Sequence, residues 1–243
     1  MAPTFRHGKS TRVFINGTDF SCILNEASFT GSNATAEVTA FCDDDRTYIP
    51  GQRDATITFS GMADFSTDEK DALWDTQLGG STDSIITYAL EGAAVGRRAA
   101  LVAGVETARG LTAPMSGVVA ASVDYQANDG PRFGYMLSST TPVTATGATA
   151  SVQDGSTGST NGAVAHLHVT ALSTAAGNDI VVAVQDSSNN STWADLISFT
   201  VDTTGPTSVR SASAGLVNEY LRGNVASMTS SSVTYSLAVG RNR

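Results

Sequence analysis

Three stretches of this chain alternate apolar and polar side chains with a period of two, and that alternation restricts the fold more than any other feature. Ala55, Ile57 and Phe59 project to one side and Thr56, Thr58 and Ser60 to the other. Val119, Ala121, Val123 and Tyr125 alternate with Ala120, Ser122 and Asp124; Ala165, Leu167, Val169 and Ala171 alternate with His166, His168 and Thr170. Successive strand residues point to opposite faces, so each stretch reads as a strand with one face toward a core. Shorter strand-like runs at 11–15, 18–24, 85–90, 99–107, 133–137, 180–185, 193–201, 208–212, 220–225 and 233–239 extend the pattern, with turn residues between them. Asn16-Gly17 supplies two positive-φ positions for a tight hairpin turn. The expectation is a mainly β chain with no repeat of fixed period.

One helix interrupts the strands. Ser66-x-x-Glu69 forms a capping box, Leu73, Trp74 and Leu78 make an apolar stripe, and Gly79-Gly80 closes the segment, predicting a helix over 67–78. Before it lies a polar stretch, 25–53, holding Gly31-Ser32-Asn33, Asp43-Asp44-Asp45 and Pro50-Gly51. A polar segment of that length inside a compact domain is read as a loop, functional or disordered.

Charge divides the chain. Residues 1–140 carry 17 acidic and 10 basic side chains, net −7; the rest carry 6 and 4, net −2. Ser138-Ser139-Thr140-Thr141-Pro142 reads as a linker, giving a first domain at 1–137 and an all-β sandwich at 143–243. The overall −9 argues against a protein that grips nucleic acid by neutralising phosphates, but not against a wall past which DNA slides. The polar first ten residues predict no signal peptide, and no apolar run approaches the about 20 residues of a membrane-spanning helix. Cys22 and Cys42 read as small, partly buried thiols in a reducing compartment rather than a disulfide or a zinc site. Asn16, Asn33 and Asn190, each in an Asn-x-Thr pattern, read as turn residues.

Candidate chemistry is sparse. Gly8-Lys9-Ser10-Thr11 resembles the end of a phosphate-binding loop, but Pro3 stands where that loop needs its first glycine. His166-x-His168 could place two imidazoles on one strand face; with His7 the sole remaining histidine, they read as a solvent-facing pair. Asp43-Asp44-Asp45 is contiguous, so its carboxylates diverge along an extended segment and read as solvated or as contacts for a neighbour's basic residues. Residues 186–193 end in the Thr-Trp of an Asp-box hairpin without its Ser, Asp and Gly, and Trp193 reads as core. No nucleophile, base and oxyanion donor group together, so no catalytic, metal or cofactor site is expected.

The order of these pieces suggests a family. Thr39-Ala40-Phe41-Cys42-Asp43, then Arg46-Thr47-Tyr48-Ile49-Pro50-Gly51, then Ala55-Thr56-Ile57-Thr58-Phe59-Ser60-Gly61-Met62-Ala63-Asp64, resembles the tail tube proteins of siphophages, with Cys42 where glycine is common. The resemblance covers residues 5–137. It implies a β-sandwich or barrel-like subunit with a flanking helix. Six copies would form a ring, and rings would stack into the virion's tail tube, through which phage DNA passes to the host. It also implies assembly in the host cytoplasm, with tape measure, terminator and initiator proteins as partners and no membrane. By position, 25–53 matches the family's loop that reaches a neighbouring subunit, with Phe41, Asp43, Asp44, Asp45, Arg46, Tyr48 and Gly51 as its contacts. Residues 143–243 resemble the β-sandwich domains that decorate some tail proteins. The alternative reading is a carbohydrate-binding adhesin acting through that sandwich, with Trp193 and Tyr220 against a surface glycan.

Overall fold

The computed structural model describes residues 7–65, 70–155, 157–173, 179–202 and 205–242. It is mainly β, as the alternation requires. The first half carries β1 (Arg12–Ile15), β2 (Thr18–Asp19), β3 (Leu24–Glu37), β4 (Tyr48–Met62), α1 (Lys70–Gln77), β5 (Ser84–Ala89), β6 (Arg98–Thr112), β7 (Ala120–Ala127) and β8 (Arg132–Met136). The second carries β9 (Gly147–Ala148), β10 (Val152–Gln153), β11 (Ala163–Leu172), β12 (Asp179–Ser187), β13 (Ala194–Asp202), β14 (Thr207–Ser213), β15 (Tyr220–Met228) and β16 (Val233–Arg241). The proposed capping box, Ser66 to Glu69, lies outside the described residues. Within the helix Trp74 is fully buried, whereas Leu78 is exposed beyond its end.

Two compact units form. The first comprises residues 1–22, 85–102 and 132–243; the second comprises 23–84 and 103–131. The division read from composition, at 138–142, does not coincide with them. The reason is strand pairing that composition does not reveal. C-terminal β16 lies between β8 and β11, with Ala238 opposite Met136 and His166, so both sides of the supposed linker belong to one sheet. Leu137 N also donates to Leu237 O at 2.7 Å across that seam.

In the first unit the larger sheet runs β14-β11-β16-β8-β6-β5-β1-β2, using the first half of β6, and is nearly closed because β2 comes back against β11. The smaller sheet runs β10-β15-β12-β13, with β9 also on β15. Leu167, Val169, Tyr235 and Leu237 from the larger sheet pack against Ile180, Val182, Phe199 and Leu221 from the smaller, giving a sandwich core. The opposite face of the larger sheet buries a second cluster, Phe14, Ala89, Ala99, Leu101, Met136 and Ala238. Burying a side chain of that size contributes about 1.5–3 kcal/mol.

His166 and His168 therefore do not face solvent. They are 1% and 0% exposed, because β11 is covered on both faces. Gly17 N donates to His168 Nδ1 at 3.2 Å, which places the His168 proton on Nε2. That Nε2 lies 2.9 Å from Thr87 Oγ1, and Thr87 Oγ1 lies 3.3 Å from His166 Nδ1. The histidines, with Thr87, tie the Asn16-Gly17 turn to β5 and β11. The cysteines depart from expectation in the other direction: both are free and exposed.

The second unit is a four-stranded antiparallel sheet, β3-β4-β7-β6, taking the remainder of β6, with α1 against one face. Ile57, Phe59, Val123 and Tyr125 fill that face, with Phe59 and Tyr125 rings edge-on at 6.2 Å. Tyr125 Oη and Ser84 Oγ both donate to Gln77 Oε1, at 2.8 and 2.7 Å, fixing the helix in place. Arg109, its side chain 6% exposed, pairs with Asp75 of the helix.

Candidate assembly surface

The largest departure from the sequence reading falls in 25–53. It is not a loop but two long strands. β3 and β4 pair from Leu24 opposite Gly61 through Glu37 opposite Tyr48, with irregularities near Asn25 and Ala34. Their outer part stands alone, because β7 stops at Gln126 opposite Thr56. From Ser32 and Asp54 outward, the ribbon has no third strand, and all of its residues are exposed except Thr39, which is half-buried. Seven strand residues extend about 23 Å at about 3.3 Å each. No core face exists to impose an apolar–polar alternation, which is why this segment does not read as a strand.

The ribbon closes on itself through hydrogen bonds. Val38 N donates to Thr47 O at 2.9 Å, and Thr47 N to Thr39 Oγ1 at 3.1 Å. At the tip Asp43 N donates to Ala40 O at 3.1 Å while Asp43 Oδ2 accepts from Ala40 N at 2.7 Å. This turn thrusts Phe41 outward, and Tyr48 and Ile49 are about half exposed on the returning strand. Every residue assigned to the assembly loop from the family resemblance falls here. Phe41, Asp43, Asp44, Asp45 and Arg46 form the tip, Tyr48 begins β4, and Gly51 sits where a Cβ would approach Ala34 O to 3.2 Å. Arg46 Nε lies 3.9 Å from Glu37 Oε1, an exposed pair of little energetic weight.

A second feature of this unit went unread in the sequence. At the other end of the sheet, the β6–β7 connection is exposed from Ala113 to Val118, and Met115 and Val118 stand out from it; Leu111 at the end of β6, Met62 at the end of β4 and Phe65 beyond it are exposed beside them. The available signal was the absence of any charged residue between Arg109 and Asp124.

The sheet face turned away from α1 is lined by small hydroxylic and acidic residues. Cross-strand partners share a face. Glu26 pairs with Ser60, Ser28 with Thr58 and Thr30 with Thr56; these continue to Ser122, Asp124 and Gln126 on β7. No lysine or arginine belongs to that set.

The other sequence candidates are placed differently. Gly8–Ser10 forms a short 3-10 turn whose Lys9 N donates to His7 Nδ1 at 3.0 Å, unlike a phosphate loop leading into a helix. Residues 187–192 make a turn held by Asn189 Oδ1, which accepts from Ser191 N and Thr192 N at 2.9 and 2.8 Å. Trp193 is half-buried rather than core, and the Arg222 guanidinium lies 4.1 Å over its ring. Arg222 Nε donates to Gln185 Oε1, and Gln185 Nε2 to Asp195 Oδ1, each at 2.8 Å. The guanidinium occupies a ring face that a sugar would need. Tyr220, opposite Ser187 on β15, is half-buried at the same edge of the smaller sheet.

No family model and no curated protein matches the chain. Among solved structures it is similar to a chain of the virion of a native gene transfer agent particle, at 13% identity and a TM-score of 0.45, over 53% of this chain and 98% of that one. It is also similar to a chain of the tail of an empty gene transfer agent particle with C6 symmetry, at 14% identity and a TM-score of 0.43, over 53% and 98%. The Dit protein of phage SPP1, described as a paradigm of the hub adsorption apparatus of phages infecting Gram-positive bacteria, is similar at 15% identity and a TM-score of 0.37, over 96% and 99%. Likeness at this level carries no functional argument.

Proposed function

We propose that this chain is a structural, non-catalytic subunit of a phage-type tail, and that it polymerises as stacked hexameric rings into a tube. The observation that carries this reading is the free-standing β3–β4 ribbon. A two-stranded ribbon with nothing packed on either face is at best marginally stable in water. Exposed aromatic and aliphatic side chains at its tip are placed to be covered by another molecule. The partner proposed for it is a second copy of the same chain.

The hydroxylic, acidic sheet face supports the tube reading in particular. A wall of Ser, Thr, Gln, Glu and Asp presents no cation to a passing phosphate backbone, so it would let DNA through without holding it. The β-sandwich of the first unit would then decorate the exterior. Tape measure, terminator and initiator proteins follow as partners, and the virion tail, assembled in the host cytoplasm, as the location.

Negative-stain electron microscopy of the purified protein tests this. Rings or tubes of constant width are expected, alone or with tail-initiator proteins. A chain that stays monomeric under both conditions overturns the proposal.

A further inference from the structure

The second unit exposes two apolar surfaces, and they lie at opposite ends of one sheet. One is the ribbon tip, with Phe41, Tyr48 and Ile49. The other is the end of β6 and the β6–β7 connection, with Leu111, Met115 and Val118. β4 runs from the first surface to the second, from Tyr48 to Met62, so the two are separated along the strand direction by construction. Resting on the self-assembly reading above, we propose that the β6–β7 end of one copy receives the ribbon tip of the next, so that the contact is head-to-tail.

Charge selects between the possible pairings. Residues 31–55 contain five acidic side chains, Glu37, Asp43, Asp44, Asp45 and Asp54, and two basic ones, Arg46 and Arg53, a net of −3. A symmetric ribbon-on-ribbon contact would bring two such charges together, and like charges in close register are destabilising. Residues 110–123 carry no charge at all. The connection itself therefore repels an acidic ribbon less than a second ribbon would, and it covers the aromatic tip with aliphatic and thioether side chains. Met suits such a contact because its flexible side chain adapts to a partner's shape. Exposed connections are ordinarily polar, so an exposed, uncharged connection bearing Met115 and Val118, next to exposed Leu111, needs an occupant. Each copy carries both a donor and an acceptor. The contact is therefore heterologous and generates rings or filaments rather than closing on a dimer.

The test uses two full-length variants. Phe41→Asp with Ile49→Asp disables the ribbon; Met115→Asp with Val118→Asp disables the receiving end. All four side chains are about half exposed or more, so circular dichroism spectra and melting curves should match the parent. Each variant alone is expected to raise the concentration needed for assembly by at least about tenfold. Mixed, they should form a one-to-one dimer and go no further, since a single intact ribbon meets a single intact receiving end. Normal assembly of the Met115/Val118 variant overturns the inference while leaving the self-assembly reading intact. Dimerisation of either variant by itself overturns it in favour of a symmetric contact. Absence of assembly by the parent protein overturns the reading on which it rests. A second measurement does not depend on disabling anything. Cys42 is a free, exposed thiol beside Phe41. In a Cys22→Ser background, Met115→Cys should yield an intermolecular Cys42 crosslink in assembled particles, and its absence there overturns the inference.

Discussion

At the scale of single residues, the buried histidines make the most specific commitment. Burial, with His168 and Arg210 nearby, holds His166 well below the ordinary imidazole range; burial pushes His168 down to about 3. Thr87, the Ile86 carbonyl, the Gly17 amide and the Phe14 ring surround the pair, with Ser236 opposite His168, and among the described residues no carboxylate is bonded to either ring. The unfolded chain binds protons at these side chains below about pH 6.5, while the folded chain does not. Stability contributed by the neutral pair is therefore present above that pH and is lost as pH falls toward 3, at about 1.4 kcal/mol per pH unit for each histidine. Glu106 acts with the opposite sign. Burial raises it to about 7, so its contribution is present in acid and is lost as pH rises through 7. Urea unfolding at pH 7.5, 6.5 and 5.5 should show a net fall with acidification. The fall should turn into a rise in the His166→Leu/His168→Leu double variant, where Glu106 acts alone, and steepen in Glu106→Gln. Gly17 yields a second expectation. Its φ is +87°, and a Cβ there would meet Thr207 N at 2.3 Å. Gly17→Ala should cost about 2 kcal/mol or more, read as a lowered melting temperature. The turn was legible from Asn-Gly; what it packs against was not, because Thr207 is remote in sequence.

At the scale of elements, the ribbon and the helix separate stability from assembly. Trp74 is fully buried beneath α1, so Trp74→Ala should cost about 3–5 kcal/mol in denaturant titration. Phe41 makes no buried contact, so Phe41→Ser should change stability by less than about 0.5 kcal/mol while impairing assembly. Sequence reading found Ala55 to Ser60, Val119 to Tyr125 and β11 because one face of each carries a continuous apolar row. It took the outer part of the β3–β4 ribbon for a loop because strands exposed on both faces obey no such row. It took the histidine face of β11 for solvent because one polar row cannot reveal that Phe14 and Thr87 arrive to cover it.

At the scale of the molecule, long-range pairing decides what folds together. A fragment of residues 1–137 would leave β8 without β16 and strip the cover of β11 from Phe14 and Thr87. In the fragment, the amides of residues 1–22, 85–102 and 132–137 should lack the dispersion of a folded domain by NMR, whereas the full chain should show it. A well-dispersed fragment would restore the boundary that composition suggests. Local pattern alone is enough to read a β-rich chain, a helix interrupting the strands, and the segment that carries the exposed tip. Those properties are local: they follow from alternation of period two, turn chemistry and the spacing of apolar residues within a few positions. Long-range packing, by contrast, makes the C-terminal strand complete a sheet begun at the N-terminus, buries the histidines, and sets two apolar surfaces at opposite ends of one sheet. Each of these depends on which distant strand supplies the neighbouring hydrogen bonds, and backbone donors and acceptors are the same at every residue.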